Sequence, residues 1–249
     1  MGLPIIGHLA RKGFRTIATD IDPQKKSAVE AAKATWAGVE TLARESDIVL
    51  VCVGFDHQVQ DLLKNADAFQ GSIVAILSTI HPKTVKRFAA AAKGFHVIDS
   101  TVCRGGDAAD KGALLSFVGG PKNVVERITP VLKAYSSDVV HTGGVGSAQV
   151  AKAVNNLIMW ACLVADHEGL ALAKRYDVDV EMLRKALGLS SAQNAALDKW
   201  GTQTMAWAED DMAIVAEMAA ECGLSLPQAA LNRDICRELK PRRFKLDEY

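Results

Sequence analysis

The first half of the chain alternates short apolar runs with segments whose apolar residues recur at helical spacing. Ile48–Val53 (IVLVCV) is continuous, apolar and rich in β-branched residues, the pattern of a strand buried on both faces. Thr16–Thr19, Ile73–Leu77, His96–Ile98 and Leu114–Val118 read as strands too. Between them lie helical stretches at Pro4–Lys12, Pro23–Ala34, Gln58–Asn65, Pro82–Ala92 and Pro121–Ala134. Four of these open on proline, whose missing N–H costs nothing at a helix start. Strand–helix alternation predicts a parallel sheet with helices on both faces.

The pattern changes near Gly143. From Ser147 to Arg175 the sequence holds one helix-compatible stretch without proline, and Gly169 is its only interior glycine. Its centre is apolar nearly all round, which predicts a core helix. Helical segments follow at Val180–Leu187, Ala192–Lys199, Ala206–Cys222 and Pro227–Glu238, and no strand pattern returns. The polar end, Lys240 to Tyr249, is expected on the surface. The chain therefore divides into an α/β domain over residues 1–143 and an all-helical domain over 144–249.

Composition narrows the functional classes. The 249 residues carry 29 basic and 29 acidic side chains, which leaves no electrostatic footprint for nucleic acid or an anionic membrane. The longest apolar run, Leu157 to Ala165, is too short to span a bilayer. The start of the chain shows no signal-peptide pattern. The five cysteines form no C-x-x-C pair, an odd scattered set that suits free thiols in a reducing compartment. The histidines have no acidic partners at ligand spacing, so no metal site is expected. The expectation is a soluble, cytoplasmic protein.

Three stretches carry chemistry. Met1-Gly2, with Pro4 to Leu9 and Gly13 after it, reads as the last glycine of a dinucleotide fingerprint and its helix. Asp20, at the end of the next strand, is placed to bind both ribose hydroxyls of adenosine. A plain helix start and a turn aspartate would give the same residues. A complete G-x-G-x-x-G needs a strand and two glycines upstream of Gly2, so the chain as written is expected to lack its first strand and to bind dinucleotide poorly. The second stretch, Asp99-Ser100-Thr101-Val102-Cys103-Arg104-Gly105-Gly106, puts glycines after a strand, where backbone N–H groups can hold a carboxylate and Arg104 can add a bidentate contact. An ordinary glycine-rich loop reads the same. The third, Gly144 to Asn156, sets Lys152 and Asn156 four apart on one helix face. A lysine at the entrance to a buried helix is expected to be partly desolvated and suited to proton transfer. The amide one turn on can orient a substrate hydroxyl. A lysine in the early turns of a helix can equally be a solvated surface charge.

Taken in order, these stretches resemble the β-hydroxyacid dehydrogenase family, which includes 3-hydroxyisobutyrate dehydrogenases and tartronate semialdehyde reductases. The resemblance runs through Ser78-Thr79-Ile80, Pro82, Thr84-Val85 and Gly119-Gly120 and covers nearly the whole chain. It implies a Rossmann-type domain followed by a helical domain that closes the site and forms a homo-oligomer. It implies that Lys152 is the general acid/base and that Asn156 helps hold the substrate. The loop at Thr101, Val102, Cys103, Arg104 and Gly105 would bind a hydroxy-acid carboxylate. Gly2, Asp20, Val53, Gly54 and Thr79 would touch the cofactor, NAD in preference to NADP because Asp20 repels a 2′-phosphate. The chain departs from the family at Cys103, usually serine, at Arg104, usually glycine, and at Thr101, usually proline. Asp210-Asp211-Met212 stands where the family carries Lys-Asp-Leu, and the segment between Gly188 and Trp207 is short. Imine reductases share the fold without the lysine, so Lys152 argues against that branch. The other functional class these departures leave open is a non-catalytic relic or interaction protein with a defective cofactor loop.

Overall fold

A computed structural model describes residues 1–64 and 66–248. The chain forms two compact units, Met1–Lys152 and Ala153–Tyr249. In chain order the first unit holds α1 (Gly2–Arg11), β1 (Ile17–Ala18), α2 (Lys26–Ala31), β2 (Thr35–Trp36), α3 (Val39–Glu45), β3 (Ile48–Val51), α4 (Asp56–Leu63) and β4 (Ile73–Ile76). There follow α5 (Pro82–Ala91), β5 (His96–Cys103), α6 (Gly105–Asp110), β6 (Leu114–Gly119), α7 (Lys122–Leu132) and β7 (Ser136–Gly143). Asn65, the expected end of the helical stretch from Gln58, lies outside the described residues.

The main sheet has five strands in the order β3-β4-β5-β6-β7, and β1 pairs with β2 in a separate parallel pair. All neighbours in the main sheet are parallel except β5 and β6, which run antiparallel with Asp99 opposite Gly119. The all-parallel sheet expected from alternation is thus corrected at one junction. The physical reason is the short connection through α6. Gly112 and the αL residues Arg104 and Gly105 turn the chain straight back, where a parallel crossover needs a dozen residues or more. The continuous apolar runs fill both faces of the sheet, and every residue of β4 is fully buried. On one face Ile5 and Leu9 of α1 and Val124, Ile128 and Leu132 of α7 pack over Ile73, Ala75 and Ile98. On the other, Val59 of α4 and Val85 of α5 pack against Val49, Val51, Val74, Ile76 and Val97.

The second unit takes up most of the 29-residue helix α8 (Ser147–Arg175) and adds α9 (Val180–Leu187), α10 (Ala195–Asp198), α11 (Ala208–Glu221) and α12 (Pro227–Leu239). Trp160, Leu163 and Val164 of α8 form a core with Met205, Met212, Val215, Cys236 and Leu239. Helix α8 is not buried all round, as its composition suggested. Val154, Ile158 and Leu172 are 49 %, 58 % and 62 % exposed, so an apolar face reaches solvent. Among the described residues it is the one helix long and apolar enough to cross a membrane, by length and composition only, whereas its opposite face packs as a protein core.

The chain end also differs from expectation. Leu246 is buried in a cluster with Leu170 and Leu197, and Phe244 packs its ring against His167 and Trp200. His167 is nearly inaccessible. Its Nδ1 bonds the Leu163 carbonyl at 2.8 Å, and its Nε2 accepts the Phe244 N–H at 2.8 Å. The tail therefore closes over the core through Phe244 and Leu246, two residues that a polar composition concealed.

Candidate active site

The site begins with a carboxylate in the core. Apolar residues carry β5 into the sheet, and at its centre Asp99 is fully buried. Burial raises its pKa above the ordinary carboxylate value, against backbone hydrogen bonds that pull it down. Those bonds come from the start of α8: Oδ1 accepts the Gly146 N–H at 2.7 Å and Oδ2 the Gln149 N–H at 2.9 Å. A helix leaves its first N–H groups without internal partners, and an anion there is also favoured by the helix dipole. Asp99 thus caps α8 from a neighbouring strand. A glycine on the opposing strand makes room for it. A Cβ on Gly119 would lie 2.6 Å from Asp99 Oδ1 and 2.8 Å from the Gly144 carbonyl. Gly146 sits at φ +91°, with the Lys86 side chain 2.9 Å from where a Cβ would stand.

Two further bonds lock the register. Thr101 Oγ1 donates to the Ala148 carbonyl at 3.0 Å. Gln149 Oε1 accepts the Ile80 N–H at 3.0 Å, and its Nε2 donates to the Ser78 carbonyl at 2.8 Å. Ser78 Oγ in turn accepts the Val53 N–H at 2.9 Å. The loops after β3 and β4, the strand β5 and the first turn of α8 are therefore joined by one polar network.

This frame fixes Lys152, half-buried on the second turn of α8. Its ammonium donates to Cys103 Sγ at 3.8 Å, at the end of β5. Cys103 is buried. Asn156, also buried, lies one turn beyond Lys152, and its Oδ1 accepts from Asn155 at 3.0 Å. Thr101, Val102 and Cys103 are strand residues here and not part of a glycine loop; the turn is confined to Arg104 and Gly105, at φ +85° and +78°. The guanidinium of Arg104 does not accompany Lys152. Its Nη1 bonds Asp138 Oδ2 at 2.7 Å, Ser137 Oγ at 2.8 Å and the Ala113 carbonyl at 3.2 Å. The expectation is an arginine aimed at a substrate carboxylate; the carboxylate that it meets here is that of Asp138. The αL backbone at Arg104 swings its side chain toward β7, where Asp138 is held below the usual carboxylate range by that contact.

The residues expected at a dinucleotide each follow the carboxyl end of a strand or open a helix. Asp20 lies just past β1, exposed, and one of its oxygens already accepts the Asp22 N–H at 3.0 Å in a local turn. Gly54 and Phe55 follow β3, their N–H groups held by Gln58 Oε1 at 2.8 Å and 3.1 Å. Thr79 follows β4 and is half-buried. Gly2 begins α1, where no side chain caps the first N–H groups. Carboxyl ends of strands and an uncapped helix start are where a doubly wound sheet receives a dinucleotide, so these residues fit that group. Among the described residues no three His, Cys, Asp or Glu side chains gather as a metal would require.

The functions of Asp99, Gln149 and Ser78 in this frame are not evident from the sequence alone. One signal was present: an acid directly after Val97-Ile98 breaks an apolar strand where only a paired charge is tolerable. Its partners lie 47 and 50 residues away, and no local pattern names them.

Comparison with known proteins agrees with this geometry. Residues 1–144 match the NAD-binding domain of 6-phosphogluconate dehydrogenase, and residues 146–247 match the NAD-binding domain of NADP-dependent 3-hydroxyisobutyrate dehydrogenase. The 2-(hydroxymethyl)glutarate dehydrogenase of Eubacterium barkeri is 26 % identical over 94 % of this chain and 84 % of its own length. The 2-hydroxy-3-oxopropionate reductase of Escherichia coli is 26 % identical over 96 % of this chain and 86 % of its own. In three dimensions, Psf3 in complex with NADP+ and 2-OPP superposes with a TM-score of 0.88 at 21 % identity, over 97 % of this chain and 92 % of that one. With a Rossmann-like unit, a helical unit and both family domains matched along its length, the chain belongs to the β-hydroxyacid dehydrogenase family of NAD(P)-dependent oxidoreductases.

Proposed function

We propose that the protein interconverts a small 3-hydroxy acid and its 3-oxo acid or semialdehyde, with Lys152 as general acid/base. The observation that carries this reading is Lys152 itself, on a helix start pinned by Asp99 and Thr101 of β5 and, through Gln149, by the loop after β4. A nicotinamide, when bound, supplies or accepts the hydride. The chain's own tasks are positioning and proton transfer. In oxidation, neutral Lys152 takes the hydroxyl proton as the carbinol carbon loses hydride. In reduction, protonated Lys152 gives a proton to the carbonyl oxygen. Asn156, one turn on, orients the hydroxyl, and the end of β5 at Cys103 with the Gly105 turn faces the carboxylate. Lys152→Ala is expected to lower turnover about 10²–10⁴-fold, the usual contribution of a general acid/base, while cofactor affinity stays nearly unchanged. A mutant with wild-type turnover would remove Lys152 from the mechanism.

NAD is the preferred cofactor in this reading. Asp20 is an exposed carboxylate where a 2′-phosphate would come, and the next residue, Ile21, is 90 % exposed and offers no cation. Like charges so placed cost several kcal/mol. The ratio of kcat/KM for NAD and NADP tests it, and equal values would sink it. Homo-oligomerisation, in a cytoplasmic setting, completes the proposal. It is supported by the apolar face that α8 leaves in solvent at Val154, Ile158 and Leu172, and sedimentation analysis would measure it.

A further inference from the structure

The thiol of Cys103 carries neither the proton nor the hydride in the reaction just described, yet it is the side chain that Lys152 reaches, at 3.8 Å between Nζ and Sγ. The described cysteines differ in their company. Cys236 is pushed up to about 11 by burial and then by Glu209, and Cys162 is pushed up by burial and then by Asp166. Both thiols are thereby kept protonated and inert. Cys103 ends a strand beside a nitrogen that is a cation in one protonation state and a nucleophile in the other. It is 4 % exposed, which keeps bulky reagents out and leaves a small oxidant as the class that can enter.

We propose that Cys103 and Lys152 form a modification site: a hydroperoxide oxidises the thiol, and the lysine amine then closes on the sulfur to give a reversible sulfur–nitrogen link. In the first step the thiolate sulfur attacks the O–O bond of hydrogen peroxide. The O–O bond breaks, a sulfenic acid forms at Cys103, and the departing hydroxide takes up the proton the thiol had released and leaves as water, with sulfur oxidised by two electrons and peroxide reduced. In the second, the neutral amine of Lys152 attacks that sulfur. The S–N bond forms, the S–O bond breaks, and the departing hydroxide takes a proton from nitrogen and leaves as water. The sum is thiol, amine and peroxide going to a sulfenamide and two waters. An added thiol reverses it by attacking sulfur and releasing the amine. The locked start of α8 favours closure, because it keeps nitrogen beside sulfur while the sulfenic acid lives. Serine at this position could not be oxidised in this way, so the property belongs to the Cys103 substitution.

The link rests on geometry alone, whereas its effect on turnover rests on the proposed role of Lys152. The full-length protein, treated with hydrogen peroxide near neutral pH and digested with trypsin without reductant, is expected to yield a peptide pair joined through Cys103 and Lys152. That pair is lighter than the separate peptides by two hydrogen atoms, is not cut after Lys152, and disappears on adding dithiothreitol. Cys103→Ser and Lys152→Arg should each abolish it, and iodoacetamide should modify Cys103 only slowly in the folded protein. Turnover should fall in proportion to the linked fraction and return with dithiothreitol. Recovery of Cys103 as a free thiol while the exposed Cys52 and Cys222 are oxidised would overturn the proposal. So would Cys103 found as sulfinic acid with normal cleavage after Lys152. A link that forms without loss of turnover would leave the site standing and remove Lys152 from the mechanism instead.

Discussion

Each unit buries a titratable side chain that ties a distant segment to a helix, Asp99 in the first and His167 in the second, and the two do so in different charge states. In the first unit Asp99 accepts the N–H groups of Gly146 and Gln149. In the second His167 bonds the Leu163 carbonyl through one nitrogen and accepts the Phe244 N–H through the other, an arrangement that needs the neutral ring. Burial is the largest influence on both, raising the Asp99 pKa and lowering that of His167. The difference lies in what each gives in return. Neutral His167 is the form that burial favours, so closing the chain end costs little. Asp99 is placed in its disfavoured state, and buried charges of this kind are weak sources of stability. What Asp99 provides is the position of the helix start that carries Lys152.

Replacing Asp99 should give the largest effect on this comparison. Asp99→Ala leaves the N–H groups of Gly146 and Gln149 unpaired in the core, each at a cost of about 1–3 kcal/mol. Asp99→Asn keeps the shape but turns an amide donor toward a backbone donor. We expect both variants to lose stability in chemical denaturation, and Asn to retain more of it than Ala while its kcat falls and cofactor affinity holds. Equal kcat in Asn and wild type would show that the cap is structural only.

Gly119→Ala probes the same frame from the opposing strand. Its Cβ would stand 2.6 Å from Asp99 Oδ1 with backbone behind it, so the strand must shift. Overpacking of this kind costs about 1–3 kcal/mol, read as a lower denaturation midpoint.

His167 gives a smaller effect with a clear sign. Its folded pKa lies below the unfolded value near 6.5, so its contribution is complete above about pH 6.5 and is lost as pH falls from there toward the folded pKa. Asp99, with its folded pKa raised, acts in the reverse sense in the acid range: it favours the folded state below the unfolded carboxylate pKa and loses that contribution as pH rises through the folded one. Mild acid should therefore loosen the helical unit first, seen as a rise in Trp200 emission change or in hydrogen exchange at Phe244. His167→Gln should cost about 1 kcal/mol at neutral pH and flatten this dependence. An unchanged acid response would assign it to other groups.

Arg104→Gly is expected to change least. It relieves an αL backbone worth about 1–2 kcal/mol and gives up a half-exposed contact with Asp138 worth about 0–1 kcal/mol. The net is a slight stabilisation in thermal melting. With its guanidinium held by Asp138, Arg104 should leave a panel of mono- and diacids ranked as before. A changed ranking would show that it releases Asp138 to meet substrate.

Much of this was legible in the chain. The strands at Ile48, Ile73 and Leu114 and the helices α8 and α9 follow directly from apolar run length and periodicity. β7 was not, because Ser136–Gly143 alternates weakly and leaves only Ser136 fully buried. α6 and the antiparallel direction of β6 were hidden by glycines that read as loop. Lys152 was legible through its motif. The direction of Arg104 was not, since it depends on a positive φ and on an aspartate more than thirty residues away.

The sequence by itself determined the order of elements, the change from α/β to helical, and the helix face shared by Lys152 and Asn156, because these depend on local periodicity and spacing. The tertiary structure alone decided that Asp99 caps α8, that Gln149 ties the β4 loop to it, that Cys103 meets Lys152, and that Phe244 closes on His167. Each of these joins residues far apart in the chain. Their partners are chosen by which buried donors and acceptors the packed sheet and helices leave unmatched, and that is settled only when the core closes.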